Sequence, residues 1–310
     1  MIRPPFPEVI DSSMLAAFRA CGRKAFLGYL EHWKPSEESV HLVAGKAFAS
    51  GLEAVRKAFY MDGADPEEAI PLGLEALWRE YGEFTEPADS PKGPIRMAGA
   101  LEFYFASYPL GADGAKPHIF PSAKHGIEFS FAQPFPVTHP ETGAPLIYVG
   151  RADMAADAFG GVFLYDEKTT TQLGSRWLNQ WDHRSQFTAY CWGFREAGFK
   201  PTGVVVRGVS ILKDSYGTEQ VISYRSDWEI ARWLEQTRRD VERMKQSWLE
   251  GYWDYSLDGA CNEYGGCSFR RICKSPEPEK WLDIYFHKRR WDPVEREERI
   301  LIRNADGSWS

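Results

Sequence analysis

The residues best suited to chemistry lie in the segment 150–171, which reads GRADMAADAFGGVFLYDEKTTT. Its alternating apolar and polar residues predict two β-strands joined by a tight glycine turn. Because successive side chains point to opposite faces of a strand, Asp166 and Lys168 share one face and Glu167 takes the other. The turn returns the second strand alongside the first, so Asp153 is expected to meet Asp166 and Lys168 at one site.

Two carboxylates and a lysine in this arrangement favour metal-dependent phosphoryl chemistry. Carboxylate oxygens are hard ligands of the kind that Mg²⁺ and Mn²⁺ prefer. A metal held by Asp153 and Asp166 would activate water and orient a phosphodiester, and Lys168 would offset the charge that develops on it. An acidic-x-lysine triplet taken alone also fits a solvated strand end, so neighbouring elements have to support the interpretation.

The next predicted helix, residues 176–197, brings further polar groups towards this site. At helical spacing, His183, Gln186 and Tyr190 share one face. Gln186 and Tyr190 are therefore candidates for contacts with a phosphate or a base. The alternative is that Tyr190 belongs to the core and Gln186 to the surface.

The elements that must position these residues show helical and strand patterns in a mixed order. Asp11 followed by two serines is an N-cap signal and opens a predicted helix at 11–31. Further helices are predicted at 41–60, 66–82, 93–108 and 227–250, and strands at 126–133, 146–157, 162–170, 203–212 and 219–224. This order predicts an α/β or α+β fold with a central mixed sheet flanked by helices, followed after residue 274 by a charged tail.

Composition places the chain among ordinary globular proteins. The 310 residues are 43% hydrophobic, 26% charged and 15% aromatic, as expected for a packed core. The net charge of −7 argues against a wholly basic nucleic-acid coat but allows a local basic groove. No apolar run reaches the roughly 18 residues of a membrane span, and the first residues lack the apolar stretch of a secretory signal. A cytoplasmic location without a membrane partner is predicted.

Five cysteines are unevenly placed. Cys21 lies near one end, Cys261, Cys267 and Cys273 lie near the other with five residues between neighbours, and Cys191 stands alone. Disulfides are disfavoured in a reducing compartment. Cys191, among aromatic residues on a predicted helix, is expected to be a buried thiol.

Together these motifs resemble the PD-(D/E)XK nuclease superfamily, in particular its RecB/AddB/Cas4-like branch. That branch shows a G-x-x-D strand, a D-x-K-T strand and a helix with Q-x-x-x-Y. The matching positions here are Gly150 to Asp153, Asp166 to Thr169 and Gln186 to Tyr190. The resemblance runs from Ser12 to Cys273.

The resemblance implies an α/β architecture with a restriction-endonuclease-like core, in a single nuclease domain over residues 1–310. The implied parts are a helical insertion at about 41–110, a catalytic core at about 126–225, cluster-binding ends at 12–31 and 255–275, and a charged tail at 276–310.

The resemblance also implies roles for single residues. Asp153 and Asp166 would be ligands of Mg²⁺ or Mn²⁺, Lys168 the catalytic lysine, and Gln186 and Tyr190 supporting catalytic residues. Glu128 opens a strand much like one of the family's strands and is interpreted as structural or as supporting the metal ligands.

One position departs from the family pattern. The family's early helix offers a histidine four residues after a glycine as a further metal ligand, whereas Gly45 is followed here by Ala49. His41, one turn before Gly45, is the preferred substitute ligand, and Glu53 is the alternative. The departure leaves open an incomplete metal site, and therefore a weakly active or inactive protein.

For the cysteines, the resemblance implies a [4Fe–4S] cluster that staples the chain ends together. Iron–sulfur members of the branch use one N-terminal and three C-terminal cysteines, which correspond to Cys21, Cys261, Cys267 and Cys273, and such a cluster needs four thiolates. The family spacing is more often x2 followed by a longer gap, which is a second departure. The alternatives are a structural Zn²⁺, although no tight C-x2–4-C knuckle is present, and unligated thiols.

Basic residues flank these cysteines. Arg270, Arg271 and Lys274 are candidate DNA-binding residues, and the run 287–291 adds further cations and a tryptophan. Cations beside aromatic rings suit single-stranded nucleic acid. A solvated helix face is the alternative.

These observations predict a metal-dependent deoxyribonuclease that hydrolyses phosphodiesters. The predicted substrate is DNA, single-stranded or with free ends, and the predicted action is exonucleolytic, in recombination, repair or replication, with proteins of those processes as candidate partners. Two alternatives are a catalytically weak or inactive DNA-binding module of the same fold and a zinc-stabilised scaffold protein in a replication or recombination complex.

Overall fold

The computed structural model describes residues 3–84, 90–121, 123–257, 259–262 and 266–293. These residues divide between two compact units. Unit 1 takes the described residues of the segments Met1–Glu37, Ala132–Gly150 and Asp227–Glu297, and unit 2 takes those of Glu38–Phe131 and Arg151–Ser226.

Helices occur in both units. The α-helices are α1 (Ser12–Ala20), α2 (Gly22–Ala25), α3 (Val40–Tyr60), α4 (Pro66–Tyr81), α5 (Pro94–Ser107), α6 (Ser175–Asn179), α7 (Ser185–Glu196), α8 (Asp227–Glu250), α9 (Arg270–Cys273) and α10 (Pro278–Tyr285), and a π-helix spans Phe26–Leu30.

The strands form a larger and a smaller sheet. They are β1 (Val9–Ile10), β2 (Trp33–Pro35), β3 (Lys116–Pro117), β4 (Ile127–Thr138), β5 (Pro145–Ala158), β6 (Gly161–Thr170), β7 (Gly203–Ile211), β8 (Tyr216–Ser223) and β9 (Phe286–Lys288).

The larger sheet is mixed, as predicted. Its order is β1-β5-β6-β7-β8, and β3 and β4 also pair with β5. β6 runs parallel to β7, whereas β5 and β8 run antiparallel to their neighbours β6 and β7. The strands predicted at 126–133, 146–157 and 162–170 are present as β4, β5 and β6, and β5 pairs with both of the others.

Helices cover both faces of the sheet in unit 2. Val209 of β7 shares an apolar core with α3, α4 and α5, whereas a Cβ at Gly208 would lie 2.4 Å from the Trp177 ring of α6. Because adjacent strand residues point to opposite faces, α3–α5 and α6 lie on opposite sides of β7. This confirms the expected α/β architecture of a sheet flanked by helices.

The helical segment before the sheet is held by a close approach of α3 to α4. A Cβ at Gly73 would lie 2.2 Å from Val55 and 2.8 Å from the carbonyl oxygen of Gly51. Only glycines permit this approach. It positions α3, which contributes one wall of the site described below.

Two predicted helices are interrupted. The predicted helix 11–31 breaks at Cys21, whose backbone is extended, because the following residues turn to bond the chain near Asp254; the Arg23 amide donates to the Asp254 carbonyl over 2.9 Å. The predicted helix 176–197 is two helices, α6 and α7. Trp181 lies between them, and its carbonyl accepts a hydrogen bond from the Arg225 guanidinium over 2.7 Å instead of continuing the helix.

The segment predicted as a charged tail contains regular structure. Helix α10 and strand β9 lie within it, and β9 pairs with β2. These elements form because apolar residues lie among the charged ones. Leu282 and Phe286 are buried with Phe269 in a local core. Residues 294–310 of this tail lie outside the described residues. Within the described parts of the chain, no helix is long and apolar enough to cross a membrane.

Candidate active site

The site begins where β5 and β6 part in unit 2. Their ladder ends with the pair Met154 and Tyr165, and Asp153 comes directly before it on β5. The Glu167 amide donates a hydrogen bond to Oδ2 of Asp153 over 2.9 Å. This bond fixes the Asp153 carboxylate to the strand that carries the predicted catalytic lysine.

Asp166 and Lys168 form an ion pair on one face of β6. Asp166 is buried with 2% exposure, whereas Lys168 remains partly exposed. Glu167 takes the opposite face and bonds to residues of α3 and α5. The predicted alternation of these three side chains is confirmed; the choice of metal ligand stays a prediction.

Electrostatics at this point favour a bound cation. Burial raises the pKa of Asp153 well above its usual range, and the charges of Asp166 and Glu128 raise it further. Burial also raises the pKa of Asp166, although Lys168 opposes it. Burial by itself would lower the pKa of Lys168, but Asp166 and Asp153 raise it, so the ammonium stays charged.

A cavity of about 290 Å³ opens onto this group. Asp153, Glu167, Lys168 and Thr169 line it from β5 and β6, Glu128 lines it from β4, and residues of α3 form its helical wall. Asp166 does not line the cavity. Of the predicted site residues, the cavity therefore unites Asp153, Lys168 and His41.

Ala49 stands at the position where the family pattern described above has a histidine. Ala49 and Gly45 both line the cavity, and so does His41, whose side chain is exposed. Burial and the nearby Lys92 lower the pKa of His41. Glu53, the alternative substitute, bonds Lys57 over 2.7 Å and does not line the cavity.

Helix α7 supplies a second supporting pair. Nε2 of Gln186 donates to the Tyr190 hydroxyl over 2.7 Å. Burial raises the pKa of Tyr190, and Asp166 and Asp153 raise it further, so its hydroxyl lies within electrostatic range of both carboxylates. Tyr190 is thus both a core residue and a neighbour of the site, whereas His183 lies in the turn before α7 and not on its face.

Glu128 holds an unusual conformation at the start of β4. Its backbone has a φ of +50°, a region that non-glycine residues enter at an energetic cost. Its carboxylate is buried, lines the cavity and pairs with Nε of Arg151 over 2.9 Å. Glu128, predicted to be structural or to support the metal ligands, therefore lines the same cavity as Asp153.

Sequence reasoning missed the partners of Glu167. Arg56 of α3 pairs with its carboxylate, and the Tyr104 hydroxyl of α5 donates to it over 2.9 Å. Arg207 of β7 bonds the same hydroxyl over 3.2 Å and Asp113 over 2.8 Å. The clue in the sequence was an arginine on the apolar face of α3, where Leu52 and the neighbouring Val55 are also buried.

Lys92 was also missed. It is buried, and its ammonium donates to the Thr169 hydroxyl over 3.2 Å. Burial lowers its pKa to about 8. No motif marks this lysine, because its contact with β6 depends on the tertiary fold.

The sequence profile of the PD-(D/E)XK nuclease superfamily matches residues 12–274. The chain belongs to this superfamily. Its family activity is therefore that of a nuclease, a hydrolase acting on nucleic acid. No curated protein matches the chain by sequence.

Comparison with solved structures gives one that shares this fold. A protein described as a candidate exonuclease from Eubacterium rectale shares 12% identity with this nuclease, with a TM-score of 0.53 and coverage of 86% of this chain and 89% of that one. A second structure, SSO0001, shares 14% identity over 66% of this chain and 73% of that one, with a TM-score of 0.29. The first of these shows a common fold.

The carboxylate oxygens of Asp153 and Asp166 are ligands of the type that divalent Mg²⁺ and Mn²⁺ prefer. Superfamily nucleases usually use Mg²⁺ or Mn²⁺. Within the described ranges, no three His, Cys, Asp or Glu side chains are grouped so as to hold a metal by themselves. Mg²⁺ commonly takes one or two carboxylates and completes its shell with water and substrate phosphates. Asp153 and Asp166, buried and acidic, meet that smaller requirement.

The four predicted cluster cysteines all belong to unit 1. Burial raises the pKa of Cys273, and Cys21, Cys267 and Cys261 raise it further, which places each of these three within electrostatic range of Cys273. Residues 258 and 263–265 between them lie outside the described residues. Cys191 is buried with 1% exposure, which confirms it as a core thiol.

The predicted DNA-binding residues line one groove of unit 1. Arg270, Arg271 and Lys274 border a cavity of about 580 Å³ together with Tyr285. The Arg271 guanidinium lies 4.6 Å from the centre of the Tyr285 ring. The structure brings these three cations together; their role stays a prediction.

Proposed function

We propose that the protein is a Mg²⁺- or Mn²⁺-dependent deoxyribonuclease whose metal ligands are Asp153 and Asp166. The observation that supports this most is the cavity in which Asp153 and a charged Lys168 meet, with Asp166 ion-paired to that lysine. Membership of the nuclease superfamily gives the reaction class. The cavity supplies a place for the phosphodiester.

The chain's own residues would act on the phosphodiester in defined ways. When bound, the metal supplies Lewis-acid polarisation and activation of water. Lys168 stabilises the negative charge that grows on the phosphoryl oxygens. The Glu167 amide keeps the Asp153 carboxylate in place. Tyr190, which is buried and accepts a hydrogen bond from Gln186, supports the two carboxylates from within the core.

We further propose that the substrate is single-stranded DNA, attacked from an end. A cavity of about 290 Å³ suits one strand better than a duplex, whose major groove alone is about 12 Å wide. The solved structure with the same fold is described as a candidate exonuclease, which is consistent with this action. Attack from an end suits a role in recombination, repair or replication.

The experiment is digestion of a closed circular single strand beside its linear form. Anaerobically purified protein with Mg²⁺ or Mn²⁺ should shorten the linear strand and leave the circle intact, because a circle has no end to enter the site. Equal cleavage of the two forms would contradict the exonuclease proposal and leave an endonuclease.

We also propose a [4Fe–4S] cluster at Cys21, Cys261, Cys267 and Cys273, as in the RecB/AddB/Cas4-like branch. The four thiols belong to one unit, and Cys21, Cys261 and Cys267 lie within electrostatic range of Cys273. Both facts support the proposal, since the cluster needs four thiolates. A structural Zn²⁺ would use the same four thiols, and metal analysis separates the two.

A second candidate function rests on Ala49. This residue stands in the cavity wall where the family usually has a metal-binding histidine. Because that ligand is missing, the protein would be a DNA-binding module that cleaves weakly or not at all. It would bind labelled DNA and release no product with either metal.

A further inference from the structure

The small sheet of unit 1 gathers positive charge at one place. Strands β2 and β9 pair so that Lys34 lies opposite His287 and Trp33 opposite Lys288. Arg289 and Arg290 follow β9 directly and are exposed. Four cations therefore come from two segments that are distant in sequence.

His32 holds the second segment in place. Its backbone has a φ of +62°, and its carbonyl accepts a hydrogen bond from the Arg289 amide over 2.9 Å. Its Nδ1 accepts a hydrogen bond from the Trp291 amide over 3.3 Å. Burial lowers the pKa of His32, and the charges of Lys288, Arg290 and Lys34 lower it further, which keeps the ring nitrogen available as an acceptor.

Aromatic rings lie among these cations. The Lys34 ammonium lies 4.8 Å from the centre of the Tyr29 ring, and the Tyr29 and Trp291 rings meet edge to face at 5.3 Å. The Lys288 ammonium lies 4.4 Å from the Trp33 ring. Tyr29 and Trp291 are only half-buried, so ring surface remains open to a ligand.

The cations repel one another. After the effect of burial, Arg289 lowers the pKa of Lys34, and three of the cations lower that of His32. Among the described residues, the ion pairs that can be assigned involve none of the four. A bound polyanion would relieve this repulsion and release counterions.

We propose that Tyr29, Lys34, Lys288, Arg289, Arg290 and Trp291, here termed the β2–β9 cluster, bind single-stranded DNA. The cations contact phosphates, and the rings stack on bases. Single strands fit better than a duplex, because unpaired bases expose the faces on which aromatic side chains stack. The cluster differs in residues from the groove of Arg270, Arg271 and Lys274. The proposal rests on the proposed function in that DNA is the ligand.

The first test measures the salt dependence of binding without cleavage. A labelled single-stranded oligothymidylate is titrated in EDTA, and the logarithm of affinity is plotted against that of salt concentration. Each phosphate contact on a single strand contributes a slope of about −0.7. The double variant R289Q/R290Q should make the slope shallower by about 1.4.

A matched control carries the same change of charge. Arg238 and Arg239 lie on α8 of the same unit and both pair with Glu235. The double variant R238Q/R239Q should keep the wild-type slope. Equal slopes in the two double variants, or an unchanged slope in R289Q/R290Q, would overturn the proposal.

The second test separates stacking from charge. Trp291→Ala should lower affinity about tenfold, in the range expected for loss of one base stack, with the salt slope unchanged. Trp228→Ala, at an exposed tryptophan of α8, is the control and should have no effect. Tighter binding of a duplex than of the single strand would overturn the single-strand assignment.

Because these measurements need no hydrolysis, their outcome is separate from that of the proposed function. A protein that binds through this cluster but never cleaves DNA would refute the nuclease activity and leave the cluster intact.

Discussion

At the scale of single residues, three consecutive positions of β6 serve different ends. Asp166 and Lys168, two of the proposed catalytic residues, form an ion pair on one face of β6. Glu167 bonds Arg56 and Tyr104 on the opposite face, and its amide holds Asp153. The residue between the two candidate catalytic side chains therefore couples β6 to the helices α3 and α5.

Replacing Glu167 should act first on stability. Burial opposes ionisation, but Arg56 lowers the pKa of Glu167 below its usual range, so the pair is ionic. Glu167→Ala would leave the Arg56 guanidinium buried and unpaired, which typically lowers the free energy of unfolding by about 3–5 kcal/mol. Urea unfolding measures this loss. Glu235→Ala, which breaks an exposed ion pair, is the control, and a loss no larger than the control's would refute the account.

Ala49 offers a gain-of-function prediction. The side chain lines the cavity that holds Asp153 and Lys168, and a histidine there would add a metal ligand. Ala49→His should lower the Mn²⁺ concentration for half-maximal cleavage by about tenfold, equivalent to about 1.4 kcal/mol. Ser50→His, one position along α3 and outside the cavity lining, should not. The same metal dependence in both variants would show that residue 49 does not face the metal.

The sequence predicted the residues whose partners are near in the chain and missed those whose partners are distant. Strand alternation was enough to place Asp166, Lys168 and Glu167 on their faces. Arg56 is 111 positions from Glu167, and Lys92 is 77 positions from Thr169. No local pattern specifies such pairs, because they depend on how α3 and the chain before α5 pack on the sheet.

At the scale of elements, helix α1 provides a test of pH dependence. Asp11 caps it by accepting from the Met14 amide over 2.7 Å. Burial raises the pKa of Asp11 to about 6, despite the hydrogen bonds and Lys34 that favour its charge. The pKa of this carboxyl is higher in the folded state than in the unfolded state. Its contribution to the free energy of unfolding is therefore full below the unfolded pKa of 3.8 and is lost as pH rises through about 6.

Asp11→Asn should therefore stabilise the protein near neutral pH. Asparagine keeps the helix cap. Above pH 6 it should raise the free energy of unfolding by about 3 kcal/mol, which corresponds to the rise of roughly two units in the pKa of Asp11. Urea unfolding at pH 4 and pH 7.5 measures it, with the gain confined to the higher pH. The control is Asp65→Asn, at the N-cap of α4, where the helix start is exposed. This variant should give the same change in stability at both pH values. An equal gain at both pH values would contradict the explanation.

Elements with strong periodicity were predicted closely, and those set by tertiary bonds were not. Helix α8 was predicted with its observed bounds, because its buried residues recur at helical spacing. The break between α6 and α7 depends on Arg225, which lies in a different segment. Strands β2 and β9 are too short for a periodic signal, and each exists only through the other.

At the scale of the whole molecule, the cysteines lead to a prediction about metal content. The four proposed ligands come from both ends of the chain and lie in unit 1. Protein purified without oxygen should be brown and contain about four irons per chain. Changing any one of Cys21, Cys261, Cys267 and Cys273 to alanine should bleach it.

Cys191→Ala is the matched control for this experiment, because Cys191 is buried in α7 of unit 2. That variant should keep its iron and its colour. Colourless wild-type protein with one zinc per chain would replace the cluster by a structural zinc site.

We propose that Asp153, Asp166 and Lys168 form the active centre of a metal-dependent nuclease. The most direct measurement is the rate of cleavage of an end-labelled linear single strand with Mg²⁺ or Mn²⁺. Lys168→Ala should reduce it at least about a hundredfold, as expected when a group that stabilises transition-state charge is removed. Asp153→Ala and Asp166→Ala should abolish it, with circular dichroism showing that each variant is folded. Lys213→Ala, which removes an exposed lysine between β7 and β8, should cleave at the wild-type rate. Wild-type cleavage by folded Lys168→Ala would contradict the account.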